Sequence, residues 1–261
     1  MFKLEIKNLY YSYPDGHNAL NGVNLSLNHG ERVALIGANG SGKSTLLLHI
    51  AGALAAQRGE IILDLSASQA QAQNILMQEQ GKANKILINS KNLDELRKVT
   101  GLIFQEPDDQ LFMPSVLEDV CFGLIANNIN QDEARERALK VLDDLNIARL
   151  AERPPHRLSG GEKRMVALAG ILVMQPEILI LDEPSAALDP KARRLVINTL
   201  NKLNQTILLA THDLDMALDV CERAVILNNG QVSASGKLPE LLQDEKLLIQ
   251  NGLELPLRYF N

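Results

Sequence analysis

An α/β fold on a mainly parallel core sheet is the architecture this sequence predicts, and three observations carry it. Short apolar runs bounded by polar or turn residues alternate with helical patterns, as buried parallel strands and their crossover helices do. One such run, Arg32 to Ile36, leads straight into a glycine-rich loop and then a helical stretch. Hydrophobic residues are 46% of 261 and charged residues 22%, enough to fill one large core and too apolar for a mostly disordered chain.

The elements follow in order. Lys3 to Leu9 alternates as a half-buried strand does, and Arg32 to Ile36 is a continuous apolar strand ending at Gly37. Val99–Phe104, Ile178–Leu181 and Thr206–Ala210 repeat that design. Arg223–Leu227, Asn229-Gly230 and Gln231-Val232 read as a hairpin with a tight turn. Apolar residues recur at Ala134, Ala138, Val141, Leu142 and Leu145, with Asn130 as N-cap and Glu133 three residues on. A second helix starts at Ser159 and runs apolar through Met174. The expected organisation is a core over 1–105 and 176–236, a helical insertion over 106–175 and a tail over 237–261. Pro239 is placed to open a helix running to Ile249 in that tail. The Gln-, Ala- and Ser-rich stretch Ser66 to Lys82 reads as an exposed insertion between two strands.

Composition narrows the function. Twenty-six basic residues against 32 acidic ones give a net charge of −6, which disfavours a phosphate backbone, so no nucleic-acid partner is expected. Two cysteines, Cys121 and Cys221, make neither a disulfide scaffold nor a metal cluster and suit a reducing compartment. Met1 to Glu5 lacks the apolar stretch of a signal peptide. The longest weakly polar run, Leu46 to Ala56, is broken by His49 and falls well short of the ~20 residues that span a bilayer. Any membrane role is therefore expected to come through a partner.

Gly37-Ala38-Asn39-Gly40-Ser41-Gly42-Lys43-Ser44 fits G-x-x-x-x-G-K-[ST], after a strand and before a helix that begins near Thr45. Glycines let successive N–H groups turn inward around phosphate oxygens, and the helix N-terminus adds partial positive charge. Gly37, Asn39, Gly40, Ser41, Gly42, Lys43, Ser44 and Thr45 are the candidate nucleotide contacts. Lys43 would neutralise the β- and γ-phosphates, and Ser44 would offer its hydroxyl to Mg²⁺.

Ile178–Leu181 delivers Asp182-Glu183 at the strand end where open α/β sheets bind ligands. Asp182 would hold Mg²⁺ through water and Glu183 would polarise a hydrolytic water. Taken singly, the pair could also cap a loop that Pro184 ends. Gln105 and His212 follow two other strands at the same edge: Gln105 can ligate Mg²⁺ or its water, and His212 can donate to the γ-phosphate. Leu158-Ser159-Gly160-Gly161-Glu162 is a capping box in which two helix-starting glycines, each about 1 kcal/mol worse than alanine, leave N–H groups open to an anion. One chain thus carries two triphosphate-facing elements. If they cannot converge in a monomer, a two-fold dimer completes each site.

In this order the motifs resemble those of ATP-binding-cassette (ABC) ATPases over roughly 3–235. The resemblance implies a P-loop NTPase with an N-terminal antiparallel β-region and an inserted helical subdomain. It also implies a head-to-tail ATP sandwich in which Ser159, Gly160 and Gly161 meet the γ-phosphate held by the other subunit. Ala187 and Asp189 would lie in the loop linking the two sites. Tyr13 would stack on adenine, with Tyr11 as the alternative. A narrower resemblance, to the energy-coupling-factor branch of ABC importers, rests on Phe104 to Phe112, Val116 to Gly123, Arg164 to Leu172 and Gly252 to Pro256. It implies an ATPase on the cytoplasmic face of the cell membrane. Its partners would be a polytopic membrane coupling protein, met by a short helix at about Asp108 to Phe112, and a substrate-binding membrane subunit. The working pair would be a homodimer or a heterodimer with a related ATPase. Pro107-Asp108-Asp109-Gln110 is similar to the cobalt/nickel type, with biotin and other vitamin types as alternatives. The chain departs from the pattern at Ser66–Lys82, where relatives have a short turn. Five histidines and two cysteines without ligand spacing predict that it does not bind the cargo metal itself.

The other readings are a soluble ABC protein without a transporter and a P-loop kinase or GTPase. The acidic balance and single nucleotide core oppose the first. Against the second, Asn201-Lys202-Leu203-Asn204 lacks the aspartate of a base-reading Asn-Lys-x-Asp.

Overall fold

Strand β1 (Lys3–Ser12) runs further than its alternation indicates and pairs antiparallel with both β2 (Asn18–Asn28) and β4 (Arg58–Asp64). The computed structural model describes residues 3–66 and 85–259, which divide into two units. The first holds residues 1–100, 177–180 and 204–261. In it, β5 (Lys85–Ile88) pairs antiparallel with β4 and closes a sheet ordered β2-β1-β4-β5. β2 buries Ala19, Leu20, Val23, Leu25 and Leu27, a pattern whose alternation breaks at Gly22, where φ is +82°. Beyond Ser66, the insertion expected at Ser66–Lys82 lies outside the described residues.

The second sheet of this unit centres on β3 (Arg32–Ile36), which pairs parallel with β8 (Thr206–Ala210) and with β9 (Arg223–Asn228). β9 turns at Asn229-Gly230 into antiparallel β10 (Gln231–Lys237), and on the other side β7 (Ile178–Asp182) follows β8 in the strand order. Val33 to Ile36 and Ile207 to Ala210 are all fully buried. Continuous burial explains why these strands read as unbroken apolar runs, as parallel strands covered on both faces do. Helix α1 (Lys43–Ile50) leaves the loop after β3, and α2 (Asp94–Arg97) precedes β6 (Thr100–Ile103), a shorter strand than Val99–Phe104.

The second unit holds residues 101–176 and 181–203. Its helices are α3 (Val116–Ala126), α4 (Gln131–Asp144), α5 (Gly160–Leu172) and α6 (Pro190–Leu200). Each starts on a side-chain cap: Ser115 for α3, Asn130 for α4, Ser159 for α5 and Asp189 for α6. Such caps satisfy N–H groups that have no partner within the helix. Val120, Leu124, Ala134, Ala138, Leu142 and Met165 to Ala169 fill the core between them. The short helix expected at Asp108–Phe112 is a 3-10 turn over Pro107–Asp109.

Back in the first unit, α7 (Leu214–Val220) follows β8, and the chain ends in two short helices, α8 (Leu238–Gln243) and α9 (Glu245–Gln250), rather than the single helix expected from Pro239 to Ile249. Asp244 makes the break, because its side chain accepts the Leu247 N–H at 3.0 Å and so caps the second helix. Both cysteines are buried free thiols: burial pushes Cys121 up and Cys221 up to about 12.

Candidate functional site

The phosphate loop sits on the first unit, where β3 ends. A Cβ on Gly37 would lie 2.3 Å from the Leu227 carbonyl oxygen, and one on Gly42, at φ +102°, 2.5 Å from that of Ala19. Only glycine fits at either place. The hairpin turn braces the loop, with the Gly230 N–H donating to Ser41 O at 3.0 Å and the Asn21 N–H to Gly230 O at 2.8 Å. Lys43, 8% exposed, turns its ammonium into the loop and donates to the carbonyls of Gly37 at 2.8 Å and Ala38 at 3.1 Å.

These residues fit a polyphosphate. A buried cation sits inside the loop, and among the described residues the Ser41 hydroxyl is buried without a hydrogen-bond partner and a Cβ on Gly40 would meet nothing within 4 Å. Asn39 and Ser44 are exposed beside it.

Tyr13 lies against the same helix, its hydroxyl 3.1 Å from Thr45 Oγ1. Tyr11 meets Tyr13 edge-on at 5.1 Å and His49 at 4.7 Å, so its ring is taken up by packing while Tyr13 is held in a fixed orientation. His49 is fully buried, with Nδ1 2.8 Å from the Thr45 carbonyl, and burial pushes its pKa below 6.5. His212 is exposed just past β8. Because Leu35 is level with Ala210 in the parallel ladder, the loop after β3 and His212 leave the sheet at one edge. The Asp213 N–H, donating to Thr211 Oγ1 at 3.0 Å, and the Asp213 cap on α7, accepting from Met216 N at 2.8 Å, shape that turn.

The second unit carries the other candidates. Asp182 ends β7, and Glu183 follows, 8% exposed and with φ at +47°. A left-handed backbone costs a residue with a Cβ roughly 1–2 kcal/mol, and such strain gathers at functional sites. Ala187 is also left-handed, at φ +58°. Gln105 is exposed beyond β6, and its backbone is fixed by Arg164 of α5.

The start of α5 is open. Ser159 and Gly160 are exposed, and the capping box is complete, with Ser159 N–H donating to Glu162 Oε2 at 3.1 Å and Glu162 N–H to Ser159 Oγ at 3.3 Å. The Ser159 backbone N–H holds the Glu162 carboxyl below its usual range. The two glycines do different work. A Cβ on Gly160 meets nothing, whereas one on Gly161 would lie 2.7 Å from the Ala192 Cβ of α6. Gly161 is small so that two helices can touch, a role the sequence reading of paired glycines missed.

The structure thus gathers Gly37–Thr45, Tyr13 and His212 on one unit, and Gln105, Asp182, Glu183 and Ser159–Gly161 on the other. Ser44, Gln105 and Asp182 supply hard oxygen donors of the kind Mg²⁺ takes alongside substrate phosphates and water. Among the described residues no three His, Cys, Asp or Glu side chains group into a metal cage, and no helix is long and apolar enough to cross a membrane. Sequence reasoning also passed over Arg164 as a contact, although a charged residue set against the apolar run Met165 to Ala169 was the signal for it.

The sequence profile of the ABC transporter family matches residues 20–186. A Gloeobacter violaceus protein, provisionally named as an ABC transporter ATP-binding protein, is 48% identical over 97% of this chain and 97% of its own length. The energy-coupling factor transporter ATP-binding protein EcfA of Methanothermobacter thermautotrophicus is 40% identical over 97% of this chain and 76% of its own. The solved structure of cbiO1 from Clostridium perfringens, part of the ABC transporter complex cbiONQ, is similar with a TM-score of 0.74 and 35% identity. That likeness spans 95% of this chain and 93% of that one.

Proposed function

The chain belongs to the ABC transporter family, and we propose that it is the ATP-hydrolysing subunit of an energy-coupling-factor importer whose cargo is a micronutrient, cobalt or nickel ion. The chain is an ATP hydrolase. The observation that carries the reading is the Gly37–Ser44 loop closed around the Lys43 ammonium, in a chain similar to EcfA along nearly all of its length.

In this reading the loop amides and Lys43 bind the β- and γ-phosphates, Tyr13 stacks on adenine, and Glu183 accepts a proton from the attacking water. His212 donates to the γ-phosphate. Ser44, Gln105 and Asp182 would hold Mg²⁺, which when bound would offset the negative charge of the phosphates. Ser159, Gly160 and Gly161 complete the site of a second subunit, and the open, fully capped start of α5 supports that role. The surface around Asp109 and Phe112, where Phe112 is 62% exposed and meets Phe122 edge-on at 4.9 Å, would dock a polytopic membrane coupling protein. Through it the chain would sit at the cytoplasmic face of the membrane, alongside a substrate-binding membrane subunit. The similarity of Pro107-Asp108-Asp109-Gln110 to the cobalt/nickel type supports that cargo over biotin or another vitamin.

The test is to purify the tagged chain from detergent-solubilised membranes of its own cells and to measure uptake of labelled Co²⁺, Ni²⁺ and biotin with and without the chain. Co-elution of a polytopic membrane protein and loss of metal uptake are expected. Loss of biotin uptake alone would move the cargo to the vitamin type. No membrane partner and no uptake defect would leave a soluble ABC protein.

A further inference from the structure

Arg164 is 3% exposed, one turn inside the helix that Ser159 caps. Its guanidinium donates through Nη1 to the Phe104 carbonyl at 2.7 Å and through Nη2 to the Gln105 carbonyl at 2.6 Å. Among the described residues no carboxylate bonds it: Glu106 acts on it only through its charge, and burial pulls the guanidinium below its ordinary pKa. Nε is buried without a hydrogen-bond partner among the described residues. A buried cation held by two neutral carbonyls is a poor device for stability, because desolvation is not matched by an ion pair. It is a good device for geometry, since the planar fork fixes two successive carbonyls at once.

Further contacts extend the same join. Gln110 Nε2 donates to the Ala167 carbonyl at 2.9 Å, and Lys163 Nζ to Asp108 Oδ1 at 2.6 Å. Residues 104–110 are therefore bonded to α5 at three of its positions.

We propose that Arg164 is a positioning residue that makes Gln105 and Ser159 move as one body, so that the chain's own nucleotide site and the site it completes on a second subunit change together. The proposal rests on the roles given above to Gln105 and Ser159. Gln105 serves the ATP bound by its own chain and Ser159 the ATP bound by the other. A rigid join between them gives the dimer a path by which one site senses the other.

The experiment is a cycle of Gln105→Ala, Arg164→Met and the double variant in the full chain. It reads kcat, KM for ATP and the Hill coefficient of hydrolysis, with Arg164→Lys as the conservative partner. Arg164→Met should lower kcat at least about tenfold, as small misplacements do, with KM within about threefold. Its Hill coefficient should fall toward 1, and the double variant should be no worse than Gln105→Ala alone. Arg164→Lys, which can reach only one carbonyl at a time, should recover part of the kcat. Should Arg164→Met fail to fold, Arg164→Lys takes its place in the cycle, with a smaller loss that is again non-additive. Independent, multiplying losses, or a lower kcat with an unchanged Hill coefficient, would overturn the proposal while leaving Gln105 in its role. A silent Gln105→Ala would remove Gln105 from the site and the proposal with it.

Discussion

Gly161 of α5 and Ala192 of α6 approach so closely that a methyl group on the glycine would lie 2.7 Å from the alanine's own. The N-terminus of α5 is seated on the helix capped by Asp189, and the seat has no room for a side chain. Gly161→Ala should therefore destabilise the chain by about 1–3 kcal/mol, the usual cost of overpacking. Adding Ala192→Gly should recover most of that loss, less about 1 kcal/mol for a glycine inside α6. Urea unfolding of the single and double variants measures both. A double variant that regains stability but not ATPase activity would separate the packing role of Gly161 from its proposed role at a phosphate.

Glu183 combines burial with a left-handed backbone. Glu183→Gln should keep ATP binding, lose turnover by about 10²–10⁴-fold, and accumulate an ATP-loaded dimer visible by size-exclusion chromatography. Unchanged hydrolysis would take Glu183 out of the mechanism. The backbone makes a separate demand: Glu183→Gly should be at least as stable as Glu183→Ala, by about 1 kcal/mol, despite the greater freedom of glycine in the unfolded chain.

Site sharing between subunits can be read without a structure of the dimer. Ser159→Arg spoils the donated surface, and Lys43→Ala spoils the chain's own loop. Mixed, they leave heterodimers with one intact composite site. Such mixtures should hydrolyse ATP above the level of either variant alone, at roughly a quarter of wild type if half the dimers are mixed and each has one of two sites working. A mixture no more active than its parts would argue against sharing.

His49 sets a pH dependence. Its ring titrates near 6.5 when unperturbed, and burial lowers that value in the folded chain. As pH falls below 6.5 the unfolded chain takes up the proton first, so stability declines from there and levels off only below the lowered folded value. Urea midpoints between about pH 7.5 and about pH 5 should fall for the wild type and stay flatter for His49→Gln, whose amide can still donate toward the Thr45 carbonyl. Parallel slopes would mean that His49 titrates alike in both states.

Thr206–Ala210 and the loop after Ile36 were legible because burial on both faces writes an unbroken apolar run and because the loop's chemistry demands its glycines. Strand β2 was not. Asn and Gly dominate its first half, and the irregular pairing between Ile6 and Tyr10 breaks the alternation that would reveal a strand. The break at Asp244 is a side-chain capping decision inside an otherwise helical pattern, which periodicity does not register. Gly37–Thr45, Glu183 and the capping box could be named from sequence, since each is a local pattern. Arg164's grip on two carbonyls some sixty residues earlier in the chain, and Ala192 beneath Gly161, exist only once helices have packed.

The two sulfhydryls, one in each unit, lie beneath their surfaces with little tendency to ionise near neutrality. The thiolate is the nucleophile that attacks a maleimide, so the wild-type polypeptide offers a nearly silent background. A single engineered cysteine at an exposed place outside the candidate site, such as Lys202 or Lys246, could carry a fluorophore or spin label without first stripping out the native pair. Distances across an assembled complex then become measurable in the chain as nature made it.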